Sequence, residues 1–238
     1  VGTERFLLQG VGAPALECGM SRSMFRPSDD ACTFPFLVPA NAMAVVELNH
    51  VAEMAEAMNS TGYAALISAV NEPQTGRQTV SMMYAYEADG YGSTYNIDDA
   101  NIPSLLSLPY LGYVEKSDPV YLATRDVLLS PANPYYFSGT AARGIGGPHV
   151  GLGMIWPMSI LVQALTSTSD QEIIWCLGIL KNSTAGVDGV LTFSGTGFMH
   201  ESFYMDDPTQ YTRPWFAWAN SLFGELILTL GRERPYLI

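Results

Sequence analysis

A chain of 238 residues is long enough for one substantial domain with its own core, and a composition 48% hydrophobic and 11% aromatic excludes a disordered or fibrous chain. Eleven Lys and Arg against 23 Asp and Glu give a net charge of −12, which leaves no basic stripe for nucleic acid and disfavours an anionic membrane surface. Cys18, Cys32 and Cys176 are widely spaced and form no CxxC pair, so neither a disulfide scaffold nor a zinc site is indicated.

The chain opens on Val1 without an initiator Met or a signal-peptide pattern, and reads as a piece of a longer protein. Residues 1–37 lack periodicity. A helix is predicted from about Pro39, with Ala44, Leu48, Val51, Ala55 and Met58 as its apolar stripe. Asn59 to Gly62 stops it, and Thr61 can cap a short second helix through Val70. From Gln78 to Glu87 the pattern changes to period two, a strand turned by Asp89-Gly-Tyr-Gly92 into a hairpin. Asp98-Asp-Ala-Asn101 precedes Pro103 and a predicted helix to about Leu111. Ser117-Asp-Pro119 starts another helix, ended by Ser130-Pro131.

Asn133 to Gly151 is too rich in Gly and Pro for an element and reads as a long functional loop. The most apolar segment, Leu152 to Leu165, is broken by Pro157, Ser159 and Gln163, so it falls short of the ~18 apolar residues of a membrane span. A helix over Pro157–Thr166 follows, then one through about Lys181 whose entry, Ser169 with Glu172, has the form of a capping box. Beyond a second Gly-rich loop, a helix is predicted from Pro214, burying Phe216, Ala219, Phe223, Leu226 and Leu230 and ending at Gly231. About seven helical segments joined by long loops, with one small β-hairpin, predict an all-α class of helical hairpins; periodicity does not choose among bundle, solenoid and toroid.

The chemistry-bearing residues concentrate in a few short stretches. Asp29-Asp30 stands before an aromatic Phe34-Pro-Phe36 turn. Two solvated carboxylates at a helix entry are the plain reading; a general acid is the sharper one, because a carboxyl beside another carboxylate and an aromatic wall can hold its proton near neutral pH. Glu201, between His200 and Ser202, is a surface Glu or a general base that activates water. Asp98 and Asp99 cap a helix or grip ligand hydroxyls, and His149 lies among glycines that let a ligand approach the backbone. Trp156, Trp215 and Trp218 have the apolar neighbours of core residues, with stacking platforms as the alternative. HExxH is absent, since Tyr204 stands where the second His belongs, and the chain has only His50, His149 and His200. GxGxxG after a strand, a P-loop lysine and Gly-x-Ser-x-Gly are also missing. Paired carboxylates amid aromatics remain, a combination that suits glycoside hydrolysis without a cofactor or metal. The charge favours a neutral or cationic partner, and a neutral sugar fits.

Phe25-Arg-Pro-Ser-Asp-Asp-Ala31, Asp98-Asp-Ala-Asn-Ile-Pro-Ser-Leu-Leu106, Asn133-Pro-Tyr-Tyr-Phe-Ser-Gly139, Ile155-Trp-Pro-Met158, Phe198-Met-His-Glu-Ser-Phe203, Tyr211-Thr-Arg213 and Trp215-Phe-Ala-Trp-Ala-Asn220 resemble, in order, blocks of glycoside hydrolase family 125. The resemblance implies an (α/α)6 toroid, here incomplete and about its C-terminal half, forming a single partial catalytic domain over 1–238. It implies an exo-acting, inverting, metal-independent α-1,6-mannosidase acting on a mannose-containing oligosaccharide. Asp29 or Asp30 would be the acid and Glu201 the base, with Arg26, Asp98, Asp99, His149, Trp156, His200 and Arg213 as substrate-binding candidates. Gly186 to Ser194 departs from the family pattern as an apparent insertion. A catalytically inactive or truncated sugar-binding relative, and an (α/α)6 hydrolase of another linkage, are the alternatives. Compartment and oligomeric state are not encoded in any motif found.

Overall fold

A computed structural model describes residues 12–58, 83–184 and 197–238. The predicted helix through Val70, the first half of the predicted strand from Gln78 and the apparent insertion at 186–194 lie outside these residues. The chain divides into two compact units, one formed by 1–96 with 103–124 and the other by 97–102 with 125–238.

The first unit holds helix α1 (Val38–Ala57) and an antiparallel sheet of β1 (Phe36–Leu37), β2 (Glu87–Ala88) and β3 (Thr94–Tyr95), with β2 central. Pro39 opens α1, where its missing N–H costs nothing and its fixed φ suits the first turn. The stripe predicted for this helix is largely outward: Leu48 and Met58 are exposed and Ala44 is not buried, while Pro39, Ala42, Ala52 and Ala55 are. Small residues thus form the packed face, a choice that 3.6-residue periodicity cannot make when both faces are apolar. The turn from β2 to β3 forms where predicted, Asp89 Oδ1 accepting the N–H groups of Tyr91 and Ser93 at 2.8 and 2.9 Å. Between Pro103 and Leu111 a helix was predicted, but the chain makes successive turns, with Ser104 and Ser107 hydrogen-bonding each other's backbone. Such side-chain bonds compete with the helical ladder.

Helix α2 (Pro119–Leu128) begins as predicted, Asp118 Oδ1 accepting the Tyr121 N–H at 2.8 Å. In the second unit α3 (Pro157–Thr166) has nine of its ten residues buried and packs against α4 (Asp170–Asn182) and α5 (Ala217–Glu233). An apolar helix surrounded by others is what its nearly continuous hydrophobic sequence dictates. At the entry of α4 half the predicted capping box forms: Ser169 Oγ accepts the Glu172 N–H, but the Glu172 carboxylate turns instead to Ser167, Gln163 and Arg125. On α5 the buried stripe is Ala219, Leu222, Leu226 and Leu230, with Leu222 taking the place predicted for Phe223. The helix also passes Gly231 and stops before Pro235, which cannot continue it.

The expected all-α class with one small hairpin needs correction. Five α-helices are accompanied among the described residues by three small antiparallel sheets. The predicted loop from Asn133 contains β4 (Tyr136–Ser138) paired with β5 (Arg143–Ile145), and β6 (Met154–Ile155), β7 (Ser202–Tyr204) and β8 (Asp207–Thr212) form the third sheet, β7 central. Gly- and Pro-rich segments conceal such strands in sequence, yet their buried N–H and C=O groups need partners and find them in short ladders.

Candidate active site

The third sheet explains why distant sequence blocks meet. Ile155 pairs with Phe203, and Ser202 pairs with Thr212. One step beyond these pairs, Trp156, Glu201 and Arg213 therefore emerge at the same end of the sheet. Glu201 is only 5% exposed, its N–H donates to the Thr212 carbonyl at 3.2 Å, and Arg213 Nε lies 3.3 Å from its Oε1. Arg213 adopts a left-handed backbone at φ +47°, uncommon outside glycine and frequent at functional sites. Its guanidinium lies over the Phe216 ring at 5.8 Å, and Phe216 meets Trp156 edge-on at 5.9 Å. Trp156 in turn lies 6.3 Å from His149. Trp156 is thus a buried core residue by exposure, yet its Nε1 has no hydrogen-bond partner among the described residues.

His200 is fully buried and stacked on Tyr211 at 3.8 Å. Its Nδ1 lies 3.3 Å from the Arg213 carbonyl oxygen, which can only accept, so Nδ1 carries the proton and Nε2 is a buried acceptor without a partner among the described residues. Burial pushes the imidazole below its ordinary value, against the opposing effect of that hydrogen bond. The ring is therefore neutral at neutral pH. Asn220, on α5, brackets the segment from the other side: its Oδ1 accepts the Met199 N–H and its Nδ2 donates to the carbonyls of Met199 and Phe216. Asp206-Asp207 forms the β7–β8 turn and the start of β8, with Asp206 Oδ1 accepting the Thr140 N–H.

Asp98 and Asp99 are buried, and their setting is an Asx turn rather than a helix cap. Asp99 Oδ1 accepts both the backbone and side-chain N–H groups of Asn101 at 3.0 Å. A Cβ on Gly147 would come within 3.2 Å of the Asp99 carboxylate, so glycine there lets the loop carrying His149 press against it. This places Asp99, His149, Trp156, His200, Glu201 and Arg213 on connected elements of one unit.

Arg26, Asp29 and Asp30 belong to the first unit. Phe25 and Ala31 form a β-bridge, closing a loop in which Asp29 sits exposed at φ +69° and Asp30 is 6% exposed, accepting the Ser28 hydroxyl at 2.8 Å. Arg26 is buried, its Nε donating to Glu87 Oε1 at 2.7 Å. Glu87 has no place among the residues singled out in sequence. Its only signal there was a carboxylate closing an otherwise apolar and aromatic period-two run. Asn220 and Tyr211 were likewise visible only as members of their sequence blocks.

Residues 1–228 match the family described as metal-independent alpha-mannosidase (GH125). The chain is 49% identical over 253 aligned positions to the meiotically up-regulated gene 157 protein of Schizosaccharomyces pombe, covering all of this chain and 47% of that one. It is 39% identical, with a TM-score of 0.87, to a Streptococcus pneumoniae metal-independent alpha mannosidase solved as a non-productive substrate complex with alpha-1,6-mannobiose, covering 98% of this chain and 55% of that one. The chain spans about half the length of these relatives, and it belongs to glycoside hydrolase family 125.

Proposed function

We propose that the protein releases terminal α-1,6-linked mannose from an oligosaccharide by an inverting, metal-independent hydrolysis, with both units part of one (α/α)6 catalytic domain. The observation that carries this reading is Glu201: a buried carboxylate held by the sheet end and by Arg213, beside buried polar atoms of His200 and Trp156 that have no partner among the described residues. Family membership and the neighbour's mannobiose complex support the sugar.

In this mechanism Glu201 takes a proton from the attacking water while a carboxylic acid delivers one to the departing glycosidic oxygen. Inversion requires the two carboxyl groups on opposite faces of the sugar, about 6.5–9.5 Å apart, so that water fits between. Of the two aspartates we assign the acid to Asp30. Its side chain is shielded and oriented by the Ser28 hydroxyl, whereas Asp29 is exposed at a turn position chosen for its backbone. Asp98, Asp99, His149, Trp156 and Arg213 are assigned to the sugar's hydroxyls and ring faces. The His200 Nε2 acceptor suits a hydroxyl donor. Oxocarbenium charge in the transition state is favoured by a site rich in carboxylates.

The test is mannose release from α-1,6-mannobiose by the full-length protein, followed by anomer-resolved NMR, with Asp29→Asn, Asp30→Asn and Glu201→Gln variants. Release of β-mannose, surviving a chelator and reduced by about 10²–10⁴-fold in Asp30→Asn and Glu201→Gln, is expected. Release of α-mannose would refute inversion, and a loss confined to Asp29→Asn would move the acid. No release from 1,2-, 1,3- or 1,6-linked substrates would favour a sugar-binding relative.

A further inference from the structure

The loop that carries Asp29 and Asp30 is closed by its own backbone: Arg26 N–H donates to the Asp30 carbonyl at 2.8 Å, Asp29 N–H to the Arg26 carbonyl at 3.0 Å, and Cys32 N–H to the Met24 carbonyl at 3.1 Å. Those bonds shape the loop without anchoring it to the sheet beneath. Glu87 supplies an anchor to both legs. Its Oε1 accepts Arg26 Nε at 2.7 Å on the entering leg, and its Oε2 accepts the N–H groups of Thr33 and Phe34 at 2.9 and 3.0 Å on the leaving leg. Glu87 itself sits on the central strand, paired to Leu37 on one side and Tyr95 on the other, so its backbone has little freedom. The Arg26 guanidinium lies 5.5 Å from the Tyr86 ring centroid and 5.6 Å from that of Tyr95.

A fully buried ion pair is a poor way to stabilise a fold, because removing two charges from water offsets most of their attraction. What it supplies well is a fixed geometry, since moving either partner leaves a buried charge uncompensated. Here the carboxylate makes three charge-assisted hydrogen bonds, all to the acid loop. The neighbouring Cys32 thiol registers the same environment: burial first, then the Glu87 charge, push it up to about 12, against the effect of Arg26, so it stays a neutral thiol.

We propose that Glu87 is the positioning residue for proton donation, fixing the Asp29–Asp30 loop through Arg26, Thr33 and Phe34 without itself touching the sugar. The inference rests on the assignment of Asp30 as general acid. It separates from a purely structural role by leaving-group dependence. Proton delivery matters greatly for the sugar alkoxide that departs from mannobiose, and little for dinitrophenolate, which leaves without protonation.

The experiment compares the full-length protein with Glu87→Gln on α-1,6-mannobiose and on 2,4-dinitrophenyl α-mannoside. Gln keeps the shape and an acceptor for the two backbone amides but removes the charge facing Arg26. The expected result is a loss of about 10²-fold in kcat/KM on mannobiose. On the dinitrophenyl substrate the loss should be no more than about threefold, with KM unchanged. The ratio of the two losses does not depend on the fraction of protein that is folded. Glu87→Asp, with the charge withdrawn by one methylene, should give a ratio between those of wild type and Gln. Equal losses on both substrates would overturn the proposal. Failure of both variants to yield folded protein would make Glu87 a folding element and overturn it equally. Asp30→Asn serves as reference: an undiminished rate on mannobiose would refute the acid assignment, whereas an inactive wild type would refute the proposed hydrolysis itself.

Discussion

Arg213 carries two local conflicts at once, a left-handed backbone and a side chain 62% exposed beside a buried carboxylate. The first costs on the order of 1 kcal/mol for a residue with a Cβ, and the His200 Nδ1–H donated to its carbonyl helps to hold it. A backbone conformation maintained against its preference implies that the side chain is needed where it is. Arg213→Gly should therefore melt at the same temperature as wild type or slightly above it, because glycine relaxes the φ of +47°. The same variant should lose about tenfold or more in mannose release, the guanidinium contact to Glu201 being charge-assisted though partly screened. Thermal melts beside steady-state kinetics read both outcomes; a lowered melting temperature with normal kinetics would make Arg213 a structural residue. Sequence inspection finds Arg213 as a chemical type but has no access to its φ, which depends on how β8 delivers the chain to α5.

At the scale of elements, the second unit is organised by the packing of α3 among α4 and α5 and by the short ladders beside it. Gly146 leaves β5 so tightly that an added Cβ would stand 2.7 Å from Phe137 Cε2 and press on the Met154 carbonyl. Gly178, within α4, has nothing within 4 Å of the same atom. The two glycines look alike in sequence and should behave oppositely. Gly146→Ala should destabilise by roughly 1–3 kcal/mol, since backbone must yield. Gly178→Ala should stabilise by roughly 0.5–1 kcal/mol, as alanine does in a helix interior. Chemical denaturation of the pair checks both signs. The helices Pro157–Thr166 and Pro119–Leu128 were legible from proline and capping residues. The strands at Tyr136–Ser138 and Arg143–Ile145 were not, because two three-residue segments are too short to display a period.

At the scale of the molecule, 23 Asp and Glu against 11 Lys and Arg make acid the condition under which most of the charge titrates. Glu172 is the clearest contributor. Burial alone would raise its pKa, but hydrogen bonds from Ser167, Gln163 and Arg125, together with the Arg125 charge, outweigh burial and hold it below its ordinary value of 4.5. A carboxylate whose pKa is lower folded than unfolded contributes stability that is fully present above the unfolded value and is lost as pH falls through the folded one. Melting temperatures should accordingly decline from about pH 5 toward about pH 3. Glu172→Gln should melt lower at neutral pH and show a shallower decline. An equally steep profile for the variant would remove Glu172 from the acid response. This network joins α2, α3 and α4 through Arg125, Gln163 and Glu172, of which the sequence showed only the Ser169–Glu172 spacing.

The amino-acid sequence alone determined the family, through blocks in order, and the chemical identity of the candidate groups, because residue type and local spacing are written directly into it. It also determined the helix entries, where proline and capping side chains act within a few residues. Tertiary structure decided which of those groups share a place. Only the pairing of β6, β7 and β8 brings Trp156, Glu201 and Arg213 to one sheet end, and only the fold of the first unit puts Glu87 under both legs of the aspartate loop. β7 and β8 are a local hairpin, but the β6–β7 pairing and the Glu87 anchor join residues about 50 or more positions apart, and such partners leave no periodic trace in either segment.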